Sequence, residues 1–258
     1  MVIKADKLNL DFETNDGVVH ALRDLDLEIG AGEFVSFIGP SGCGKTTFLR
    51  VIADLETPTG GSIAVNGQSP EQARLARAYG YVFQAPALLS WRTIARNISL
   101  PLEIMGLSSG EQQERVKRMI NLVGLDGFGG KFPWQLSGGM QQRASIARAL
   151  AFDADLLLMD EPFASVDGPL RSQLIEDTRL NLKSENTSAL VVTHDLDEAM
   201  KLGDRIAVLE DGHFVQVDTP EQIYEKPGSA FVADALPDFF VLVGEVKDKG
   251  KISTSLGV

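Results

Sequence analysis

The sequence contains a single cysteine, Cys43, so no disulfide can form within the chain. A chain of 258 residues must then be held together by its core, and at this length roughly three quarters of the unfolded surface is buried on folding. Cysteine usage this low is typical of proteins from a reducing compartment. We therefore expect a cytosolic protein.

Long apolar runs and an excess of positive charge are also missing. No apolar stretch approaches the ~20 residues that span a bilayer, and the first residues, MVIKADKLNLDF, lack the apolar core of a signal peptide. The formal net charge is −12, whereas binding to nucleic acid or anionic membranes requires clustered Lys and Arg. We expect no nucleic-acid partner, and contact with a membrane only through another protein.

Apolar runs that end in polar residues recur along the chain and predict the strands of a parallel sheet. They are EFVSFIG (33–39), LLLMDE (156–161), ALVVTHD (189–195) and RIAVLEDG (205–212). Helical patterns alternate with these runs, as in an α/β fold, and Asp211-Gly212 predicts a hairpin turn into HFVQV. Ligands bind at the carboxyl ends of parallel strands, so the polar residues there are the first candidates for a site.

Two other regions have different patterns. Residues 1–33 and 60–82 alternate with period two around NDG (15–17) and NG (66–67), which predicts an antiparallel β subdomain. Residues 90–150 are mostly helical, with breaks expected at Pro101, Gly106 and 127–133. The remaining residues up to 236 form the expected core, and 237–258 are left as a tail of unknown role.

The segment GPSGCGKT (39–46), here called the P-loop, matches the phosphate-binding pattern G-x-x-x-x-G-K-S/T. It follows a predicted strand and opens a helix, which is the context that the pattern requires. Glycines let backbone N–H groups turn toward a phosphate, Lys45 neutralises phosphate charge, and Thr46 can ligate Mg²⁺. Cys43 is interpreted as a spacer, with a redox role as the alternative. The predicted phosphate-binding residues are Gly39, Pro40, Ser41, Gly42, Cys43, Gly44, Lys45, Thr46 and Thr47.

Candidate catalytic groups stand at the ends of three further predicted strands. Asp160 could hold Mg²⁺, and the adjacent Glu161 could orient or deprotonate an attacking water, although an Asp-Glu pair can also be a solvated helix start. His194 could donate to a γ-phosphate, with a structural role as the alternative. Gln84 could reach Mg²⁺ and the water, and is otherwise an ordinary polar residue.

Two remaining features concern the ends of a bound nucleotide. Phe12 and Val19 flank a predicted hairpin, where an aromatic ring could stack on a base or simply pack in the core. The segment WQLSGGMQQR (134–143) places Ser137, Gly138 and Gly139 before a helix expected at 140–151. This second phosphate cradle has no lysine, so it suits a γ-phosphate whose charge is already matched elsewhere.

With these segments in this order, the chain resembles the ATP-binding subunits of ABC transporters over about residues 3–236. LSGGM (136–140) is the most specific segment, because P-loops occur in many NTPase families. The resemblance implies a P-loop NTPase fold, with a RecA-like core, an antiparallel β subdomain and an α-helical signature subdomain. It also implies ATPase activity with ATP and Mg²⁺.

The resemblance assigns a role to each candidate. Phe12 and Val19 fall at the adenine site, the P-loop at Walker A, Gln84 at the Q-loop, 136–140 at the signature, Asp160 and Glu161 at Walker B, 165–167 with Asp167 at the D-loop, and His194 at the switch histidine. The sequence departs from the family at Met140, where Gln is usual, and in the D-loop, which reads ASVDG. We expect function to survive the change at Met140, because the Ser and Gly positions that would touch phosphate are intact.

The resemblance also implies partners. Two ATPase subunits, identical or paralogous, would face head to tail, each signature closing on the ATP of the other. A membrane permease would dock around Leu88, Leu89 and Trp91, unless these side chains pack inside the helical subdomain. A solute-binding protein outside the membrane would act indirectly, and the subunit would lie peripherally at the cytoplasmic face.

Segment 86–106 resembles the importer subgroup for nitrate, sulfonate, taurine, bicarbonate or thiamin precursors. We expect no additional regulatory domain of the kind found in sugar and polyamine importers. One alternative is a soluble ABC ATPase that acts on ribosomes or nucleic acid. Another is a small-molecule kinase with a P-loop, but such a kinase would not contain a segment like LSGGM (136–140).

Overall fold

The computed structural model describes residues 1–236, apart from 16 and 153, and the backbone of two strands within 237–258. The strands are β1 (Ile3–Thr14), β2 (Gly17–Ile29), β3 (Phe34–Ile38), β4 (Gly60–Val65), β5 (Tyr79–Val82), β6 (Leu156–Asp160), β7 (Ser188–Val192), β8 (Arg205–Glu210), β9 (His213–Asp218), β10 (Gly244–Lys247) and β11 (Lys251–Thr254). The helices are α1 (Lys45–Ile52), α2 (Pro70–Leu75), α3 (Ile94–Met105), α4 (Ser109–Leu122), α5 (Gly138–Leu150), α6 (Gly168–Ser184), α7 (Leu196–Leu202), α8 (Pro220–Glu225) and α9 (Ala230–Asp234), with a 3₁₀ turn at Pro133–Gln135.

A six-stranded sheet with the order β5-β6-β7-β3-β8-β9 forms the centre of the fold. Its first five strands are parallel, and β9 returns antiparallel to β8. The predicted hairpin turn is confirmed, because Asp211 and Gly212 between β8 and β9 both have positive φ, as a type I′ turn requires. Every residue of β3, β6 and β7 is buried, since core clusters cover both faces of the sheet.

A separate three-stranded antiparallel sheet has the order β2-β1-β4. The expectation that residues 66–82 continue this sheet is wrong. Residues 70–75 form α2, which begins with a capping box between Ser69 and Gln72, and β5 pairs parallel with β6 in the central sheet. The alternation in β5 buries Gly80 and Val82, and such alternation does not by itself distinguish parallel from antiparallel pairing.

Helices α3, α4 and α5 pack together beside the central sheet and contribute to one of its core clusters. The break expected at Pro101 is wrong, because α3 continues through this proline and ends at Gly106 in the left-handed conformation. Burial of Ile98 and Leu102 stabilises the helix on both sides of the missing N–H. Among the described residues, no helix is both long and apolar enough to cross a bilayer.

The predicted tail, 237–258, lies outside the described residues except for the backbone of β10 and β11. These two strands pair antiparallel. The turn predicted at 15–17 joins β1 to β2, and its middle residue, 16, also lies outside the described part of the chain.

Candidate functional site

The P-loop connects the end of β3 to the start of α1 and passes very close to neighbouring backbone. Gly39, Gly42 and Gly44 all have positive φ. A Cβ on Gly39 would lie 2.2 Å from the Leu209 carbonyl oxygen, and one on Gly44 would lie 2.5 Å from the carbonyl oxygen of Ala21. Both the backbone conformation and the contacts therefore require glycine at these two positions.

Lys45 lies at the first position of α1 and its side chain folds back into the loop. Its Nζ donates to the carbonyl oxygens of Gly39 at 2.7 Å and Pro40 at 2.8 Å, and it lies 3.5 Å from the Cys43 sulfur. Lys45 is only 8% exposed, and in the described part of the chain these polar partners are all uncharged. A buried ammonium without a carboxylate partner suits an anionic ligand such as phosphate.

Cys43 is buried, its sulfur lies 3.5 Å from Lys45 Nζ, and its backbone takes part in the hydrogen bonds of the loop. Its N–H donates to the Pro40 carbonyl at 3.4 Å, and its carbonyl accepts from the Gly212 N–H at 3.1 Å. The role of Cys43 as a spacer stays a prediction.

Thr46 and Asp160 meet although 114 positions separate them in the chain. The Thr46 hydroxyl donates to Asp160 Oδ1 at 2.9 Å, because α1 begins where β6 ends. Burial raises the pKa of the Asp160 carboxyl, an effect that the hydrogen bond from Thr46 opposes and the neighbouring Glu161 reinforces. A hydroxyl and a carboxylate are oxygen ligands of the kind that Mg²⁺ takes beside water and phosphate, and a cation would offset the cost of burying this charge.

Glu161, Gln84 and His194 come together at the carboxyl ends of three neighbouring strands. Gln84 Nε2 donates to Glu161 Oε2 at 3.1 Å, and His194 Nδ1 lies 3.4 Å from Glu161 Oε1. Strands β5, β6 and β7 are adjacent in register, so the residues that follow them emerge side by side. Gln84 thus contacts Glu161 rather than the Thr46–Asp160 pair, and its role as a metal ligand stays a prediction.

The backbone at Glu161 separates its carboxylate from that of Asp160. Glu161 has a φ of 45°, which is uncommon for a residue other than glycine, and its N–H donates to the Val192 carbonyl at 2.9 Å. Glu161 is half-buried, whereas the His194 side chain is two-thirds exposed. The carboxylate that could accept a proton from water therefore lies beside an accessible imidazole.

The signature segment forms the exposed start of α5. The Ser137 hydroxyl caps this helix by accepting from the Met140 N–H at 3.3 Å, so the helix begins at Gly138, two residues earlier than expected. Among the described residues, no hydrogen bond joins Ser137 to the P-loop. Met140 packs against the core, which explains how an apolar residue is accommodated at this position.

Phe12 and Val19 lie directly opposite each other in the β1–β2 register. Phe12 is half-buried against the core, while Val19 is 52% exposed. Val19 precedes Ala21 by two residues on β2, and the Ala21 carbonyl approaches Gly44 of the P-loop. Since two residues of a strand span about 7 Å, the hairpin lies beside the P-loop. Stacking of Phe12 on a base stays a prediction.

Residues 88–91 were predicted either to dock a permease or to pack inside the helical subdomain, and their side chains differ in burial. Leu88 and Leu89 are half-buried, and Leu88 packs against the core. Trp91 is 74% exposed. Trp91 is the most exposed of the three, and docking of a permease at these residues stays a prediction.

Arg171 and Asp195, which no sequence pattern predicted, form an ion pair with Nη1 and Oδ2 3.0 Å apart. Asp195 follows His194 directly, and Arg171 lies in the first turn of α6, after the predicted D-loop residue Asp167. Asp167 is exposed and precedes α6, and its carbonyl accepts from the Arg171 N–H at 2.7 Å. The sequence shows that an arginine follows the predicted D-loop, but its spacing from Asp195 matches no known pattern, so the pair could not be predicted.

Comparison with known proteins gives consistent matches. The sequence model described as ABC transporter matches residues 22–164. The carnitine transport ATP-binding protein OpuCA of Listeria monocytogenes is 44% identical over 226 residues, which are 86% of this chain and 57% of the relative. The sulfate/thiosulfate import ATP-binding protein CysA of Caulobacter vibrioides is 42% identical over 225 residues, 85% of this chain and 66% of the relative.

Among solved structures, the chain is similar to the dimeric ATP-binding cassette MJ0796 in a post-hydrolysis state with ADP and Pi. The two superpose with a TM-score of 0.79 and 31% identity, over 84% of this chain and 98% of that one. The chain thus corresponds to nearly the whole of a nucleotide-bound cassette, but to about 57% of the length of OpuCA.

Proposed function

The chain belongs to the ABC transporter family, as an ATP-binding domain with the P-loop NTPase fold, and on that premise we propose that it powers a membrane importer by hydrolysing ATP. The observation that carries the proposal is the meeting of three features at one sheet edge. These are the P-loop with its buried Lys45, the Thr46–Asp160 pair, and Glu161 between Gln84 and His194.

Each group has a distinct part in the proposed hydrolysis. Backbone N–H groups of the P-loop and Lys45 bind the phosphates of ATP. Glu161 accepts a proton from the attacking water, and Gln84 holds the carboxylate in place through the bond at 3.1 Å. His194 lies beside the same carboxylate and stabilises charge on the terminal phosphate. Mg²⁺, when bound, would be held by Thr46 and Asp160 and would neutralise phosphate charge.

A second ATPase subunit would complete the site. Ser137 and the N–H groups of Gly138 and Gly139 form an anion cradle at a helix start, and in the described part of the chain no hydrogen bond joins Ser137 to the P-loop of the same chain. The solved structure of MJ0796 to which the chain is similar is dimeric. We therefore propose a head-to-tail dimer in which this cradle, with the adjacent Asp167, faces the partner's ATP.

The transport partners follow from the relatives. OpuCA and CysA are named as transport or import ATP-binding proteins, which supports a membrane permease as the partner and a peripheral position on the cytoplasmic face. Exposed Trp91 is the proposed contact with the permease. A solute-binding protein would deliver the cargo to that permease.

The cargo is the least constrained part of the proposal. Relatives are named for carnitine, Fe(3+) ions, sulfate/thiosulfate and spermidine/putrescine, which differ in charge and size. A cargo of the nitrate, sulfonate, taurine, bicarbonate or thiamin-precursor type rests on segment 86–106 alone.

The test is purification of the chain from its own host, followed by an ATPase assay with Mg²⁺ and identification of bound partners. We expect ATP hydrolysis that Lys45→Ala abolishes, and a membrane permease that Trp91→Ala releases. The control is Leu180→Ala, which removes another exposed apolar side chain, on α6. Co-purification with ribosomes or nucleic acid in place of a permease would contradict a role in transport.

A further inference from the structure

Arg171 connects two loops that reach different parts of the proposed ATPase site. Its Nε donates to the Val166 carbonyl at 3.2 Å and its Nη2 to the Ala164 carbonyl at 3.4 Å. Its Nη1 lies 3.0 Å from Asp195 Oδ2. The guanidinium therefore holds loop 164–167 on one side and the residue that follows His194 on the other.

Loop 164–167 contacts the signature segment of the same chain. A Cβ on Gly139 would lie 2.5 Å from the Ser165 carbonyl oxygen, so the start of α5 rests directly on this loop. Because packed backbone at this distance cannot move independently, displacement of the signature segment also displaces loop 164–167.

The turn at His194 is held equally closely on the other side of Arg171. The Asp195 N–H donates to the Thr193 hydroxyl at 3.0 Å, and Asp195 Oδ1 accepts from the Glu198 N–H at 3.1 Å, which caps α7. With Oδ1 bonded to the helix and Oδ2 paired with Arg171, both oxygens of Asp195 are engaged. The position of His194 thus depends on the residue next to it in sequence.

We propose that Arg171 is a positioning residue, which keeps loop 164–167 and the His194 turn in one arrangement and so couples the signature segment to the catalytic groups within a chain. The inference rests on the proposed ATPase function and adds a residue to it. In the described part of the chain, the Arg171 side chain bonds to Ala164, Val166 and Asp195, none of which is proposed to bind ATP. It acts by fixing His194 and the loop beneath Gly139 at the distances that hydrolysis needs.

The chemistry of arginine suits this role better than that of lysine. A planar guanidinium presents several N–H donors in fixed directions and can bond two carbonyls and a carboxylate at once. A lysine ammonium can pair with Asp195 but lacks this rigid fork. The substitution Arg171→Lys therefore keeps the ion pair with Asp195 but removes the hydrogen bonds that connect it to loop 164–167.

Arg179 provides a matched control on the same helix. It pairs with Asp204 at 2.9 Å, and the exposed fractions of these two side chains, 31% and 33%, resemble the 29% and 33% of Arg171 and Asp195. Lys183 also pairs with Asp204, and neither Arg179 nor Asp204 lies in the site described above. Arg179→Ala removes a comparable ion pair without touching either loop.

The experiment measures kcat and KM for ATP, per folded chain, in the wild type, Arg171→Ala, Arg171→Lys and Arg179→Ala. We expect Arg171→Ala to lower kcat on the order of tenfold while KM changes less than about twofold, because geometry and not ground-state binding is lost. Arg171→Lys should recover part of this loss, and Arg179→Ala should keep the wild-type kcat. In the Asp195→Asn background, Arg171→Ala should cost much less, since the two residues act through one contact.

Hydrogen exchange on the nucleotide-free chain tests the bridge without turnover. Backbone amides of 164–167 and 193–195 should exchange faster in Arg171→Ala and stay unchanged in Arg179→Ala. Equal kcat in the two alanine variants, beside an active wild type, would overturn the role of Arg171 alone. A wild type without ATPase activity would overturn the proposed function and this role with it.

Discussion

A Cβ on Gly139 would lie 2.5 Å from the carbonyl oxygen of Ser165, so the signature helix and the loop before α6 are in direct backbone contact. Gly139 has no positive φ, and its glycine is therefore required by space rather than by conformation. The preceding residue, Gly138, has nothing within 4 Å of the same hypothetical atom. Of these two adjacent glycines in the first turn of α5, only Gly139 is required by its surroundings.

This difference predicts unequal effects of alanine on stability. Gly139→Ala forces the loop at Ser165 to shift, and we expect it to cost about 1–3 kcal/mol of unfolding free energy. Gly138→Ala should lie within about 0.5 kcal/mol of the wild type, since it meets open space. Thermal unfolding of both variants without nucleotide checks the prediction. The two changes alter helix propensity alike, so equal shifts in Tm would contradict the contact.

Ser137→Arg should separate nucleotide binding from hydrolysis. Ser137 is exposed and, in the proposed dimer, faces the partner's ATP, so a large cation there should prevent closure while the chain's own P-loop is unchanged. We expect equilibrium dialysis to show unchanged ATP binding to the isolated chain, with ATPase activity reduced at least about 100-fold.

Two controls accompany Ser137→Arg. Ser137→Ala removes the hydroxyl without adding bulk or charge, and loss of the helix cap should cost about 1 kcal/mol of stability. Ser184→Arg adds the same charge at an exposed position at the end of α6. Loss of ATP binding in Ser137→Arg would assign the cradle to the chain's own nucleotide and refute the shared site.

Glu198 predicts a dependence of stability on pH. It is only 3% exposed, and burial raises the pKa of its carboxyl from 4.5 to about 7, against a lowering hydrogen bond from Thr193. The folded state therefore keeps this proton while the unfolded state loses it above pH 4.5. The contribution of Glu198 to the free energy of unfolding is therefore largest below pH 4.5. It decreases as the pH rises toward 7, by roughly 3 kcal/mol at most.

Glu198→Gln keeps the shape of the neutral carboxyl but cannot ionise. In urea unfolding at pH 5 and pH 8, we expect the variant to lose less stability with rising pH than the wild type. The exposed Glu114→Gln serves as the control and should follow the wild type. Parallel pH profiles for the wild type and Glu198→Gln would show that Glu198 does not carry the effect.

The candidate residues that the structure brings together are mostly those whose chemistry lies within one short segment of the sequence. The P-loop combines its glycines, Lys45 and Thr46 in eight positions. In the predicted strands, each apolar run is followed directly by the polar residues that mark its end. Once strands are adjacent, residues such as Glu161 and His194 must meet. Local pattern was therefore enough for most of the candidate site.

What the sequence did not predict depends on pairing between distant segments. The Arg171–Asp195 pair joins positions 24 apart through side-chain geometry that no spacing rule encodes. The parallel pairing of β5 is decided by its neighbour β6, which lies 77 residues further along. Pro101 is tolerated because tertiary packing of α3 offsets a local penalty that sequence alone overestimates.

The most direct test of the shared site is the molar mass of Glu161→Gln in the presence of Mg²⁺ and ATP, measured by light scattering after gel filtration. The substitution removes the proposed proton acceptor but leaves the P-loop and Ser137 intact, so closed dimers should accumulate. We predict a dimer with ATP, a monomer with ADP, and a monomer with ATP when Ser137→Arg is added. A Glu161→Gln chain that binds ATP and stays monomeric would contradict the account.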